Sequence, residues 1–234
     1  MEERAFKILE EGETSWWYAG REAVLARALN PFVTTKDGKV LDFGAGPGAM
    51  QHFLINYGRV FAYEKNSNAA AKAATRGYEA VFTQEAELAR QRDFKLIGAF
   101  DVLEHIEDDA VAASKLLDLL APGGILVVSV PAYNFLWSQH DEINHHFRRY
   151  TRESITGLLV SAGFKVRYST YWNFLLFPLA LIVRVSNKTG EGAFNLPRVI
   201  DRLLTGLLRM ESRIVPRLSF PFGSGVVVVA QKEA

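Results

Sequence analysis

The chain is 234 residues long, the size of one α/β domain, and no Pro/Gly/Ser-rich linker divides it. Its 49% hydrophobic, 12% aromatic and 23% charged residues exclude a disordered or coiled-coil protein, and the lack of cysteine excludes disulfides and thiolate metal sites. The formal net charge of +1 is unevenly spread, with 12 Lys/Arg against 4 Asp/Glu in residues 145–217.

The first thirty residues are polar and acidic before turning amphipathic, so no secretory signal is expected. A cytoplasmic setting, or the inner face of a membrane, fits the cysteine-free composition. Residues 1–36 read as an N-terminal helical cap whose firm helix, 16–30, ends before Pro31. Apolar strands and helices then alternate: Val40–Phe43, a helix from Ala49 to Tyr57, Val60–Tyr63, an alanine-rich helix to Arg76, and Ala80–Phe82. A short helix, Phe94–Phe100, a helix from Asp108 to Leu120, and Ile125–Val130 follow. Near-continuous apolar strands separated by helices predict a parallel sheet covered on both faces. Gly58 and Gly77 stand where helix C-caps belong, and Pro122-Gly123-Gly124 supplies another stop.

Thr151 can N-cap a helix running to Ser161, and Gly163 closes it ahead of strand Phe164–Thr170. Gly225–Ala230 makes a seventh strand, inserted beside the fifth and antiparallel. The whole reads as one Rossmann-like domain, 1–234, with a helical insertion at about 171–224. That connection exceeds ordinary loop lengths. Its first part, Tyr171–Val183, is thirteen residues with Pro178 inside, short of the ~20 apolar residues a transmembrane helix needs. In Asn195–Arg217, Leu196, Val199, Ile200, Leu203, Leu204, Leu207 and Leu208 take one face, and Arg198, Arg202, Arg209 and Arg213 another. Such a segment serves as a lid on the sheet's rim, a homodimer surface, or a membrane-surface contact through 171–217.

Residues 40–50, Val-Leu-Asp-Phe-Gly-Ala-Gly-Pro-Gly-Ala-Met, end a strand at a carboxylate and break into glycines before a helix. Backbone amides can approach a ligand closely there. Gly44, Gly46 and Ala49 satisfy the dinucleotide fingerprint, and Glu64 stands twenty residues past Gly44, where a ribose-binding carboxylate belongs. Asp42 favours a different ligand. An unpaired carboxylate beside the turn repels a pyrophosphate and attracts the ammonium and sulfonium of S-adenosylmethionine. A nicotinamide-dependent oxidoreductase and a non-catalytic scaffold remain as rivals.

Together, Val40–Met50, Glu64, the stretch Phe100-Asp-Val-Leu-Glu-His-Ile-Glu-Asp-Asp109 and Pro122–Pro131 resemble a class I S-adenosylmethionine-dependent methyltransferase. Trp16-Trp17-Tyr18-Ala19-Gly20-Arg21 and His140–Tyr150 resemble its type 11/12 subgroup. The resemblance implies a cofactor site of Asp42, Gly44, Ala45 and Gly46 near the methionine moiety, Glu64 on the ribose and Lys65 beside the adenine. Gln84 or Glu85 would touch the adenine ring, Asp101, Val102 and Leu103 would lie near the methyl, and Tyr18 and Arg21 join the same set. It also implies a small-molecule or lipid-linked acceptor.

Methyl transfer demands alignment more than covalent work, and a general base helps when the acceptor is a hydroxyl. His105 and His140 are the candidate bases, which favours O-methylation, although His105 reads equally as a helix-start residue. Tyr133, Trp137, His145, Arg148 and Arg149 are the candidate substrate contacts. The arginines would bind an anion, or pair with Asp141 and Glu142. The aromatic start, Trp16 to Tyr18, reads as core packing or as a closing flap. The spacing of His140, Asp141, His145 and His146 matches no standard zinc pattern, so no metal is expected. No nucleic-acid partner is expected either, since there is no separate basic binding domain.

Overall fold

The computed structural model describes residues 15–33, 36–185 and 196–233, without the side chains of Ala180 and of residues 183–185. Residues 1–14 of the predicted cap and 186–195 of the predicted insertion lie outside the described residues.

Seven strands form one sheet: β1 (Gly38–Phe43), β2 (Gly58–Tyr63), β3 (Val81–Phe82), β4 (Phe94–Phe100), β5 (Leu120–Pro131), β6 (Phe164–Trp172) and β7 (Gly225–Lys232). Their spatial order is β3-β2-β1-β4-β5-β7-β6. Neighbours are parallel except around β7, which runs antiparallel to both β5 and β6. The fold is therefore the predicted Rossmann-like α/β sheet with an inserted, reversed last strand. Val226 to Ala230 are fully buried, as expected of a strand covered on both faces.

The helices are α1 (Trp16–Leu29), α2 (Gln51–Leu54), α3 (Ser67–Ala73), α4 (Glu85–Leu88), α5 (Asp109–Leu119), α6 (Gln139–Ile143), α7 (Arg152–Ser161), α8 (Phe177–Val185) and α9 (Arg198–Ser212). Several predicted boundaries move. The helix expected over 49–57 is α2 followed by a 3-10 turn, and the alanine-rich helix stops at Ala73 with Gly77 (φ 88°) closing the turn beyond it. β5 begins at Leu120, ahead of Pro122-Gly123-Gly124. Leu120 pairs with Phe94, the register shifts, and pairing resumes at Ile125 opposite Leu96.

β6 absorbs the first two residues of the predicted insertion, which then contributes α8 and α9. α9 lies against α1, with Leu208 fully buried over Gly20, where a Cβ would fall 2.2 Å from Leu208 Cδ1. The predicted single apolar face of α9 is split. Leu208 is buried, whereas Val199 and Leu203 are 71% and 65% exposed. Among the described residues no helix is long and apolar enough to cross a membrane.

Candidate active site

The strand order reverses between β1 and β4, and a crevice at that switch point, over the carboxyl ends of the strands, is where open α/β sheets bind ligands. Asp42 lies near the end of β1, Glu64 follows β2 and Asp101 follows β4. The turn after β1 depends on left-handed backbone at Gly44 (φ 74°) and Gly46 (φ 55°). A Cβ on Gly44 would fall 2.6 Å from Val102 Cγ2, so Val102 closes one side of the turn. A Cβ on Gly46 would meet nothing within 4 Å, which leaves the other side open. Glu64 ties this turn to β2: its carboxylate accepts from Gly46 N at 2.8 Å and from Asn66 N at 2.7 Å.

Asp42 is buried and accepts from the Tyr78 hydroxyl at 2.6 Å. Burial pushes its pKa up to about 7, against the pull of Tyr78 and Arg21 and with the help of the Glu64 charge. Arg21, also buried, pairs with Asp101, lies 3.3 Å from Met50 Sδ and sits 4.6 Å above the Tyr18 ring. Its Nε is buried without an acceptor among the described residues. Asp101 holds a left-handed backbone (φ 55°), and its amide donates to the Ser129 carbonyl at 2.9 Å. An unpartnered guanidinium nitrogen, three carboxylates and an open glycine turn fit the methionine carboxylate, cationic centres and ribose of S-adenosylmethionine. They fit a pyrophosphate poorly, because like charges repel.

Past Asp101, a 3-10 turn over Leu103–His105 presents a second cluster. Glu104 is fully buried, and neither carboxylate oxygen has a hydrogen-bond partner among the other described residues. Burial, and then the Asp101 charge, hold it well above the usual carboxylate range. The His105 and His146 rings meet edge to face at 4.5 Å, and burial followed by the His146 charge lowers His105 to about 4. His146 Nδ1 lies 2.8 Å from Asp141, which also takes a two-point bond from Arg149 at 2.8 and 2.9 Å. Burial pushes Asp141 up, but His146 and Arg149 outweigh it and hold the carboxyl well below its ordinary value.

The structure thus brings together Tyr18, Arg21, Asp42, Gly44, Ala45, Gly46, Glu64, Asp101 and Val102, with buried Leu103 next in chain. Lys65 and Gln84 are exposed, and Glu85 is engaged by Lys115 at 2.8 Å. Of the two readings of the arginines, pairing within the chain is the one seen among the described residues: Arg149 is buried on Asp141 and the Ala132 carbonyl, and part-exposed Arg148 pairs with Asp109 rather than Glu142. His140 and His145 are exposed, and His140 bonds the Asn144 amide on its own segment, which leaves half-buried His105 as the candidate base. Trp137 is 37% exposed. Tyr133 stacks on Phe135 at 4.9 Å and on Tyr171 at 5.1 Å. Tyr78, Met50, Ser129 and Glu104 were not anticipated as site residues. The carboxylate immediately before His105 was the one available signal among them.

A sequence profile described as a methyltransferase domain matches residues 17–169. A Mycobacterium tuberculosis protein named a probable S-adenosylmethionine-dependent methyltransferase is 29% identical over 157 residues, 64% of this chain and 56% of that protein. The chain spans little more than half the length of this relative. Among solved structures, an S-adenosylmethionine-dependent methyltransferase from Archaeoglobus fulgidus aligns with TM-score 0.60 at 15% identity, covering 97% of this chain and 99% of that one. Phosphoethanolamine N-methyltransferase 2 of Haemonchus contortus, solved with S-adenosyl-L-methionine, aligns with TM-score 0.55 at 16% identity, over 90% of this chain and 52% of its own. The chain belongs to the methyltransferase domain family, in its class I, S-adenosylmethionine-dependent branch.

Proposed function

We propose that this protein transfers the methyl group of S-adenosylmethionine to a hydroxyl on a small or lipid-linked acceptor. The observation that carries the first half is the convergence of Asp42, Glu64, Asp101 and Arg21 on a glycine turn with one open side. Bound there, S-adenosylmethionine supplies a methyl on a sulfonium, already a good leaving group. Asp42 attracts the cationic end of the ligand. Glu64 has spent two of its roughly four acceptor positions on backbone amides, which leaves two for ribose hydroxyls. Arg21 Nε offers an unused donor to a carboxylate, and Asp101 holds the guanidinium in place.

An apolar, lipid-linked acceptor is favoured by the aromatic wall of Phe135, Tyr133, Tyr171, Phe177 and Phe222 beyond β5 and β6. It is favoured also by the exposed stripe Val199, Leu203, Met210 and Ile214 on α9 and just past it, each residue preceded by an arginine. That face suits contact with an anionic membrane surface from the cytoplasmic side, or a second copy of the chain. A hydroxyl acceptor is favoured because neutral His105 stands two residues past Leu103, able to take a proton.

Calorimetric titration of the purified chain with S-adenosylhomocysteine and with NAD tests the reading. One equivalent of the nucleoside is expected to bind, and NAD is not. Tight NAD binding without S-adenosylhomocysteine would move the protein to hydride chemistry. Binding of neither, with biological activity intact in Asp42→Asn, would leave only a scaffold.

A further inference from the structure

We propose that Glu104, His105 and His146 form a binding site for a divalent first-row transition-metal ion of the zinc class. The site does not rest on the cofactor reading, and an ion held there takes His105 as a ligand, which replaces the proton-acceptor role given to that ring above. One ligand atom from each of the three residues lies within 4.8 Å of the others. A tetrahedral ion with bonds of about 2.0–2.2 Å holds its ligands roughly 3.4 Å apart, so small side-chain rotations close the site.

The strongest observation is Glu104. Its side chain is fully buried, and both oxygens lack a hydrogen-bond partner among the other described residues. Buried carboxylates are ordinarily paired or bound to metal, because an uncompensated one is costly. The guanidinium that would be its natural partner, Arg149, is already committed at two points to Asp141. Glu104 is left facing two imidazoles.

Those imidazoles are held as metal-ligating histidines usually are, with the second ring nitrogen fixed by an outer acceptor. Asp141 accepts from Arg149 at both oxygens and lies 2.8 Å from His146 Nδ1, so Nδ1 is the ring nitrogen placed to donate to it and Nε2 is left as that ring's ligand atom. His105 faces the backbone carbonyl of Asn144, which orients it in the same way. Arg149 in turn locks Asp141, so the outer shell is itself packed. Two nitrogen donors with one carboxylate favour zinc, cobalt or iron over magnesium or calcium, which prefer all-oxygen sets. Three protein ligands also leave a tetrahedral ion one position for an outside oxygen.

The test uses the full chain stripped with a chelator and then titrated with Co²⁺ and with Zn²⁺. One equivalent of Co²⁺ should give visible d–d absorption that Zn²⁺ displaces, and Zn²⁺ should raise the melting temperature. Glu104→Gln, nearly the same shape, should weaken binding at least tenfold and erase both signals. His146→Ala should do the same, whereas His140→Ala, at an exposed side chain, should leave them unchanged. Circular dichroism and S-adenosylhomocysteine binding establish that each variant is folded. Failure of the wild-type chain to bind either ion overturns the proposal. So does metal binding that survives Glu104→Gln, or that is lost in His140→Ala, since the ion would then sit among surface histidines.

Discussion

At Asp42 a carboxylate near the end of a central strand is buried with one tyrosine donor, and its pKa rises to about 7. The folded state holds this proton more tightly than the unfolded chain does. Stability contributed through this group therefore falls as pH rises from the ordinary carboxylate range toward 7. A cationic ligand prefers the ionised form. Affinity for S-adenosylmethionine is accordingly expected to climb between pH 6 and 8, and Asp42→Asn should bind about tenfold more weakly with a shallower rise. Calorimetry across that range decides it, and an equal slope in both proteins would remove Asp42 from the site. Asp141 carries the opposite sign. Its carboxyl is held low by His146 and Arg149, so its stabilisation is present above the ordinary carboxylate range and lost in acid. Asp141→Asn strands a buried guanidinium and should cost about 3–5 kcal/mol in denaturant unfolding. The strand-end carboxylates were legible because an apolar run stopping at Asp or Glu is a local signal. Tyr78, the donor to Asp42, and His146, the neighbour of Glu104, were not, because they lie 36 and 42 residues away in chain and only the crossovers bring them close.

The same division between local and distant information holds for whole elements. The five central strands were readable as near-continuous apolar runs, since burial on both faces leaves no alternation to misread. The start of β5 was hidden, because Pro122-Gly123-Gly124 carries the composition of a turn while the chain around it still pairs with β4. The face of α9 was misjudged for a related reason. Periodicity marks which side is apolar, but the width actually covered depends on the partner: α1 covers Leu208 at Gly20, whereas buried Glu211 accepts from Leu175 N in the segment after β6. At Gly20 that packing leaves no room for a Cβ, with Leu208 Cβ 2.8 Å from a hypothetical methyl, too close for rotation of Leu208 alone to relieve. Gly20→Ala should raise intrinsic helix propensity yet lower stability by about 1–3 kcal/mol through overpacking. Because α1 also carries Tyr18 and Arg21, S-adenosylhomocysteine affinity should fall with it. A variant more stable than the parent would mean that α9 does not hold α1 in place.

Across the whole molecule, charge and apolar exposure divide in the same direction. The cofactor end of the sheet gathers carboxylates, whereas residues 145–217 carry 12 Lys/Arg against 4 Asp/Glu. On α9 and just past it, the basic residues Arg198, Arg202, Arg209 and Arg213 each immediately precede Val199, Leu203, Met210 and Ile214, so a cationic row flanks an exposed apolar one. Leu179 and Ile182 of α8 add exposed apolar surface, at 53% and 66%. A solvated helix face explains the arginines but not the aliphatic row beside them. The proposed contact with an anionic lipid surface would account for both, through charge attraction at range and burial of the stripe on contact. The chain should therefore float with vesicles containing phosphatidylglycerol and not with neutral ones, and high salt should weaken the binding. Leu203→Asp, at an exposed side chain outside the cofactor-site residues named above, should reduce flotation severalfold with S-adenosylhomocysteine affinity unchanged. If the variant instead abolishes a concentration-dependent dimer in sedimentation, with no flotation in the parent, the stripe belongs to a second copy of the chain.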